Sequence, residues 1–243
     1  MRRTIFTVVA AAAMTVGLAL CVQAEGIGRP YVGMKDAPVV TTYSWTGAYG
    51  GLGGGYQIGA NDLTATAPGF AASINGLSSR DWVGDGRVGF DYQVGNSPFV
   101  VGLLAGYSTG KGRFDANVNT FTLNAELDKS WYAGGRVGLV FHRYTLVYVG
   151  YAYTQADLSI SSSVPGVCAT ALNCAHDLKG HQFLLGTETA IAPNFTVGPE
   201  FAYTRFDTAP LSRMPGVNLG LEPDAYEFKV RINWRPMAGM FGN

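Results

Sequence analysis

The chain has 243 residues, with 17 Lys and Arg against 17 Asp and Glu, and 33 glycines. Charge this sparse and this balanced excludes a nucleic-acid-binding surface. Beyond the first segment no apolar run is longer than Phe99 to Tyr107, so no membrane-spanning helix is expected.

The first segment, MRRTIFTVVAAAAMTVGLALCVQAEG, has a dibasic start, an apolar run from Ile5 to Leu20 and a small-residue site ending at Ala24. That is the layout of a secretory signal cleaved after Ala24. An uncleaved anchor is the alternative, because the run approaches the roughly 20 residues that cross a bilayer. Cleavage removes Arg2 and Arg3 and leaves a small acidic excess. Residues 25–44, with Pro30 and Pro38 and little periodicity, read as a leader segment ahead of a single domain.

Eight segments with period-two alternation follow, and each reads as a strand. They are Trp45 to Gly59, Trp82 to Gln93, Phe99 to Thr109, Ser130 to Phe141, Thr145 to Asp157, Leu178 to Ile191, Phe195 to Asp207 and Ala225 to Trp234. Segments two and three, four and five, and six and seven are joined by the tight turns GNSP, HRY and APN. The other four connections are roughly 17 to 21 residues long, which is unusual in a compact soluble domain. Short turns at one end and long loops at the other are the asymmetry of an outer-membrane barrel, with the turns in the periplasm and the four long loops outside.

The third long connection holds Cys168 and Cys174, the pair that remains after Cys21 leaves with the signal. In an exported chain the simplest reading is a disulfide. Closing so short a loop would add about 2 kcal/mol in the chain-entropy picture. Zinc held with His176 and His181 is the alternative, although the spacing matches no usual zinc frame.

The last segment, YEFKVRINW, sends Tyr226, Phe228, Val230, Ile232 and Trp234 to one face and Glu227, Lys229, Arg231 and Asn233 to the other. Strands three, four, five and seven repeat the division into large apolar residues and small or polar ones. An eight-stranded barrel has a bore barely wide enough to be filled by side chains. The small and polar face therefore lines the lumen, and the last strand's five large residues face lipid. A soluble lipocalin-like barrel needs the reverse orientation and a charged exterior. Two aromatic girdles agree with a membrane: Trp82, Tyr107, Trp131, Tyr153 and Tyr203 toward the long loops, and Tyr92, Phe99, Phe141, Phe195 and Trp234 toward the turns.

The first strand, SWTGAYGGLGGGYQIG, also resembles that of the small alpha-proteobacterial outer-membrane surface-antigen family, which reads W-T-G-F-Y-V-G-L-N-x-G-Y. Trp45, Thr46, Gly47, Tyr49, Gly51, Leu52, Gly55 and Tyr56 match. The resemblance implies an eight-stranded antiparallel up-and-down barrel related to the membrane domain of OmpA, of a kind described as porin-like or immunogenic. It covers the full mature chain in architecture and is residue-specific at this strand and, more weakly, at the last; the barrel itself is expected over residues 45–235, with 236–243 as a short tail. Relatives end on an aromatic read by the barrel-assembly machinery; here Trp234 or Phe241 would serve.

By phase, Arg136, Glu188, Glu200 and Arg231 fall near mid-height in the lumen, with Asp85, Arg87, Glu227 and Lys229 nearby. Buried charges persist only when paired, so salt bridges closing the bore are the structural reading and a selective pore the functional one. No His-x-Ser pair and no Ser-His-Asp set converges on one rim, so no enzyme is expected, and no cofactor or metal. The partners expected are outer-membrane lipid and lipopolysaccharide, periplasmic chaperones and assembly machinery during biogenesis, and surface or host ligands through the loops. The functional expectation is a barrel contributing to envelope integrity and surface contact, with small-solute passage as the alternative and lipid modification behind it.

Overall fold

The computed structural model describes residues 43–118, 121–162, 168, 174–212 and 215–236. The expected signal segment, Phe241 and nearly all of the leader and tail lie outside them. The described residues form β1 (Gly47–Ala67), β2 (Phe70–Gln93), β3 (Phe99–Val118), β4 (Phe121–Phe141), β5 (Thr145–Ser162), β6 (Ala175–Ala192), β7 (Phe195–Phe206), β8 (Ala209–Pro210) and β9 (Asn218–Trp234).

All pairings are antiparallel. The order runs β1-β2-β3-β4-β5-β6-β7-β9, and β9 pairs back onto β1 to close the sheet. Closure removes the free edges that an open sheet exposes. Strand count corrects the expectation of eight. Nine are present among the described residues, because the two-residue β8 lies against the outer end of β9 through Ala209↔Leu221, and the closed ring itself uses the other eight.

The long connections also differ from expectation. Two of them are continued strands: β1 and β2 stay paired out to Ala67↔Phe70, and β3 and β4 out to Val118↔Phe121. Backbone amides in these outward extensions still need partners, and alternating Thr and Ala in a polar stretch form a ladder without displaying an apolar face. The turn at Pro68 and Gly69, where Gly69 has φ of 77°, is a hairpin signal of the Pro-Gly type.

Period-two alternation divides each strand between two surroundings. Leu52, Trp82, Val88, Leu103, Val137 and Val149 stand on the outer wall, more than half exposed. On β9, Tyr226 is partly covered, while Phe228, Val230, Ile232 and Trp234 are exposed on the same wall. The inner face is less small than expected. Tyr49, Tyr132, Tyr148, Leu104, Leu146 and Leu184 point inward and are buried. They fit because a neighbouring strand supplies glycine: a Cβ at Gly89 would run into the Tyr49 ring, at Gly106 into Tyr132, and at Gly186 into Tyr148.

Inside, apolar side chains gather on the β3 to β7 side. Leu104, Tyr132, Ala152, Leu184 and Ala202 form one cluster, and Trp45, Val100, Leu146 and Tyr148 another nearer the turns. A third, including Leu158, Leu178, Phe206, Leu211 and Leu221, fills the barrel at its long-connection end. Charged side chains occupy the remaining space.

Candidate functional site

The inward charges come from β2, β4, β6, β7 and β9, and they sort into two groups. The group nearer the turns contains Asp91, Arg136, Glu188 and Arg235. Arg136 grips Asp91 with a fork of two bonds, at 3.0 and 2.6 Å, and donates to Glu188 at 2.5 Å. Arg235 donates to Asp91 at 2.6 Å and to Glu188 at 3.1 Å. Thr196 donates to the same Glu188 oxygen. Two cations thus face two carboxylates.

Aromatic rings separate these guanidinium groups. Arg235 lies 4.9 Å from the Trp45 ring and 4.8 Å from Tyr49, and Arg136 lies 4.5 Å from Tyr49 and 4.7 Å from Tyr148. The result is an alternating stack from Trp45 to Tyr148 that attracts each cation to ring faces at both sides. Arg235 also donates to the Trp45 carbonyl at 3.3 Å. Residues flanking the closing strands, one before β1 and one after β9, therefore meet inside the barrel.

The group at mid-height contains Asp85, Arg87, Glu200, Glu227, Lys229 and Arg231. Arg87 makes a bidentate pair with Glu200, at 2.5 and 2.9 Å, the strong geometry for a guanidinium and a carboxylate. Arg231 bridges Asp85 at 2.7 Å and Glu200 at 3.0 Å. Lys229 donates to Glu227 at 2.6 Å and lies 3.9 Å from Asp85. Tyr132 accepts from Arg87 and donates to Asp85, and Tyr148 donates to Glu200. Three cations again balance three carboxylates, and none of the six residues is more than 6% exposed.

All eight charged residues singled out from the sequence are thus in the lumen, but in two groups. Arg136 and Glu188 belong to one; Asp85, Arg87, Glu200, Glu227, Lys229 and Arg231 belong to the other. Sequence reasoning missed Asp91, Arg235 and the aromatic partners. Asp91 shares the inward phase of Asp85 and Arg87, and Arg235 continues the phase of Lys229, Arg231 and Asn233 one step past the last strand. Extending the period would have found both.

Just outside the strands, burial pushes the Tyr43 hydroxyl up to about 12, with Arg235 opposing and Glu188 and Asp91 adding to the shift. Burial works against the Arg235 charge, yet Glu188 and Asp91 outweigh it and hold its pKa above the ordinary value. Several buried polar atoms lack protein partners, among them Arg231 Nε and Nη1 and Asn233 Oδ1. Buried polar groups of this kind are commonly met by ordered water.

Above the mid-height charges lies a small polar vestibule lined by Gln57, Ser108, Thr154, Gln182 and Thr204, with Glu227 at its floor. Cys168 and Cys174 are disulfide-bonded, with Cα atoms 5.4 Å apart. His181 stands on the outer wall, its Nδ1 2.6 Å from the Tyr151 hydroxyl. With both sulfurs in the disulfide, neither is a free thiolate of the kind the zinc alternative needs. Among the described residues no group of three or more His, Cys, Asp or Glu side chains could hold a metal ion.

Comparison with solved structures returns bacterial surface and outer-membrane proteins. OprG from Pseudomonas aeruginosa has 10% identity and a TM-score of 0.47, covering 78% of this chain and 97% of that one. Neisserial surface protein A has 14% identity and a TM-score of 0.41, covering 79% and 98%. The outer membrane protease OmpT from Escherichia coli has 9% identity and a TM-score of 0.45, covering 79% and 98%. No curated protein sequence matches the chain. The family described as outer membrane protein beta-barrel domain matches residues 8–235, nearly the whole length. With its closed antiparallel sheet, apolar outer wall and polar lumen, this chain belongs to that outer-membrane β-barrel family.

Proposed function

We propose that this is a sealed, non-enzymatic outer-membrane barrel of eight membrane-crossing strands, contributing to envelope integrity and presenting its long connections to the surroundings. The supporting observation is the pair of charge-balanced groups across the lumen, in which every cation meets at least one carboxylate. A conducting lumen generally needs more strands than this ring has.

Several finer assignments go with this reading. The Trp45 to Tyr56 motif supports membership of the alpha-proteobacterial surface-antigen group related to the OmpA membrane domain. The N-terminal layout supports Sec export with cleavage after Ala24, the short turns then facing the periplasm. Trp234, at the end of β9 and on the outer wall, is our choice for the aromatic read by the assembly machinery. Lipopolysaccharide around the wall and surface ligands at the connections are the partners.

Planar-bilayer recording tests the seal. The wild type should show no large steady conductance, and Arg231→Ala should show leak events because Asp85 and Glu200 lose a shared partner. A large steady conductance from the wild type would overturn the reading in favour of a small-solute pore.

A further inference from the structure

We propose that the outer wall of β5, β6 and β7 carries a binding site for the phosphate of a lipid headgroup, built from Lys179, His181, Arg205 and Tyr151. Strand register assembles it. His181 lies between Tyr153 of β5 and Arg205 of β7, and Lys179 is two residues further toward the long connections, on the same face. All three are exposed. No described side chain bonds to the Lys179 ammonium or the Arg205 guanidinium. Tyr151 stacks beside the His181 ring, with centroids 5.7 Å apart and planes at 17°, and its hydroxyl holds Nδ1. With Tyr151 donating, the remaining imidazole proton sits on Nε2 and is available to an acceptor.

Position then selects the ligand. A charge on a barrel's lipid-facing wall is costly near the bilayer centre and tolerable only close to the interface. This group stands at the aromatic girdle, immediately beyond Phe183, which meets Tyr151 at 5.3 Å between centroids. Next toward the turns come the apolar Leu185 and Val149, cross-strand neighbours on the same wall. A lipid held by its phosphate at Arg205 and Lys179 would lay its acyl chains along that strip; free phosphate has nothing to place there.

Four carboxylates border the site. Asp224 stands opposite Arg205 and accepts from the Tyr203 hydroxyl at 3.3 Å; Asp207 adjoins Lys179, to whose carbonyl its backbone amide donates; Asp177, two residues from Lys179 on the same face, and Asp157 opposite it are exposed. They outnumber the two cations. Recognition therefore depends on donors converging on one phosphate rather than on a general positive field.

The inference rests on an outer-membrane setting but not on the seal, so lipid binding and conductance fail independently. The test uses full-length protein in detergent and native mass spectrometry with three probes: bisphosphorylated lipid A, the same lipid without phosphates, and inorganic phosphate. Wild type should retain the bisphosphorylated lipid about tenfold more tightly than the dephosphorylated one, the size expected for charge-assisted bonds. Lys179→Ala with Arg205→Ala should abolish that preference, and Arg80→Ala, an exposed cation on β2, should keep it. Heat-dependent gel mobility checks that each variant is folded. Equal retention of the two lipids, a preference surviving in the double variant, or an equal loss with Arg80→Ala would overturn the site. Displacement of lipid by millimolar phosphate would overturn a lipid as the occupant.

Discussion

Arg136 and Arg235 share the turn-side carboxylates Asp91 and Glu188, and Arg136 also lies between the Tyr49 and Tyr148 rings. Removing one partner from a buried ionic group leaves uncompensated charge and costs about 3–5 kcal/mol. Arg136→Ala should therefore lower the urea midpoint of unfolding from lipid vesicles by an amount of that order. Arg136→Lys should fall between, because an ammonium cannot reproduce the planar fork. An unchanged midpoint for the Ala variant would show that the group contributes nothing to stability. At this scale the charges were legible in the sequence because each is a lone polar residue in the inward phase of a strand. The inward tyrosines were not, since an aromatic suits either face of a membrane barrel and only the opposing glycine decides.

Pairs of strands decide those glycines. Gly106 faces Tyr132 across the β3 and β4 ladder, and a Cβ there would meet the ring and the Gly86 carbonyl. Gly54, on the outer wall of β1, has nothing within 4 Å of an added Cβ. Overpacking costs typically 1–3 kcal/mol, whereas Gly to Ala in an open strand position gains about 0.5–1 kcal/mol. Gly106→Ala should lower the temperature at which the barrel loses its compact gel mobility, and Gly54→Ala should leave it unchanged or raise it. Similar behaviour of both variants would contradict the assignment of inner and outer faces. Strand cores could be read from alternation because burial differs between the two faces within the membrane. Outer extensions could not, because beyond Ala60 β1 carries small or polar residues on both faces with Leu63 the one exception, so the period vanishes while the backbone ladder continues.

Across the whole molecule, closure of β9 onto β1 brings Trp45 and Arg235 together inside the barrel while the other three tryptophans stay on the outer wall. Trp45 is fully buried; Trp82, Trp131 and Trp234 are 75%, 43% and 51% exposed. These four are the chain's only tryptophans, and they sample the inside at the turn end and the outer wall at both ends. The most direct measurement is fluorescence quenching by brominated lipids in vesicles, using four variants that each keep one tryptophan and carry Phe at the other three. Trp82, Trp131 and Trp234 should be quenched by lipid bromine and Trp45 should not. Strong quenching of Trp45, with the other three insensitive, would contradict the placement of the apolar face against lipid.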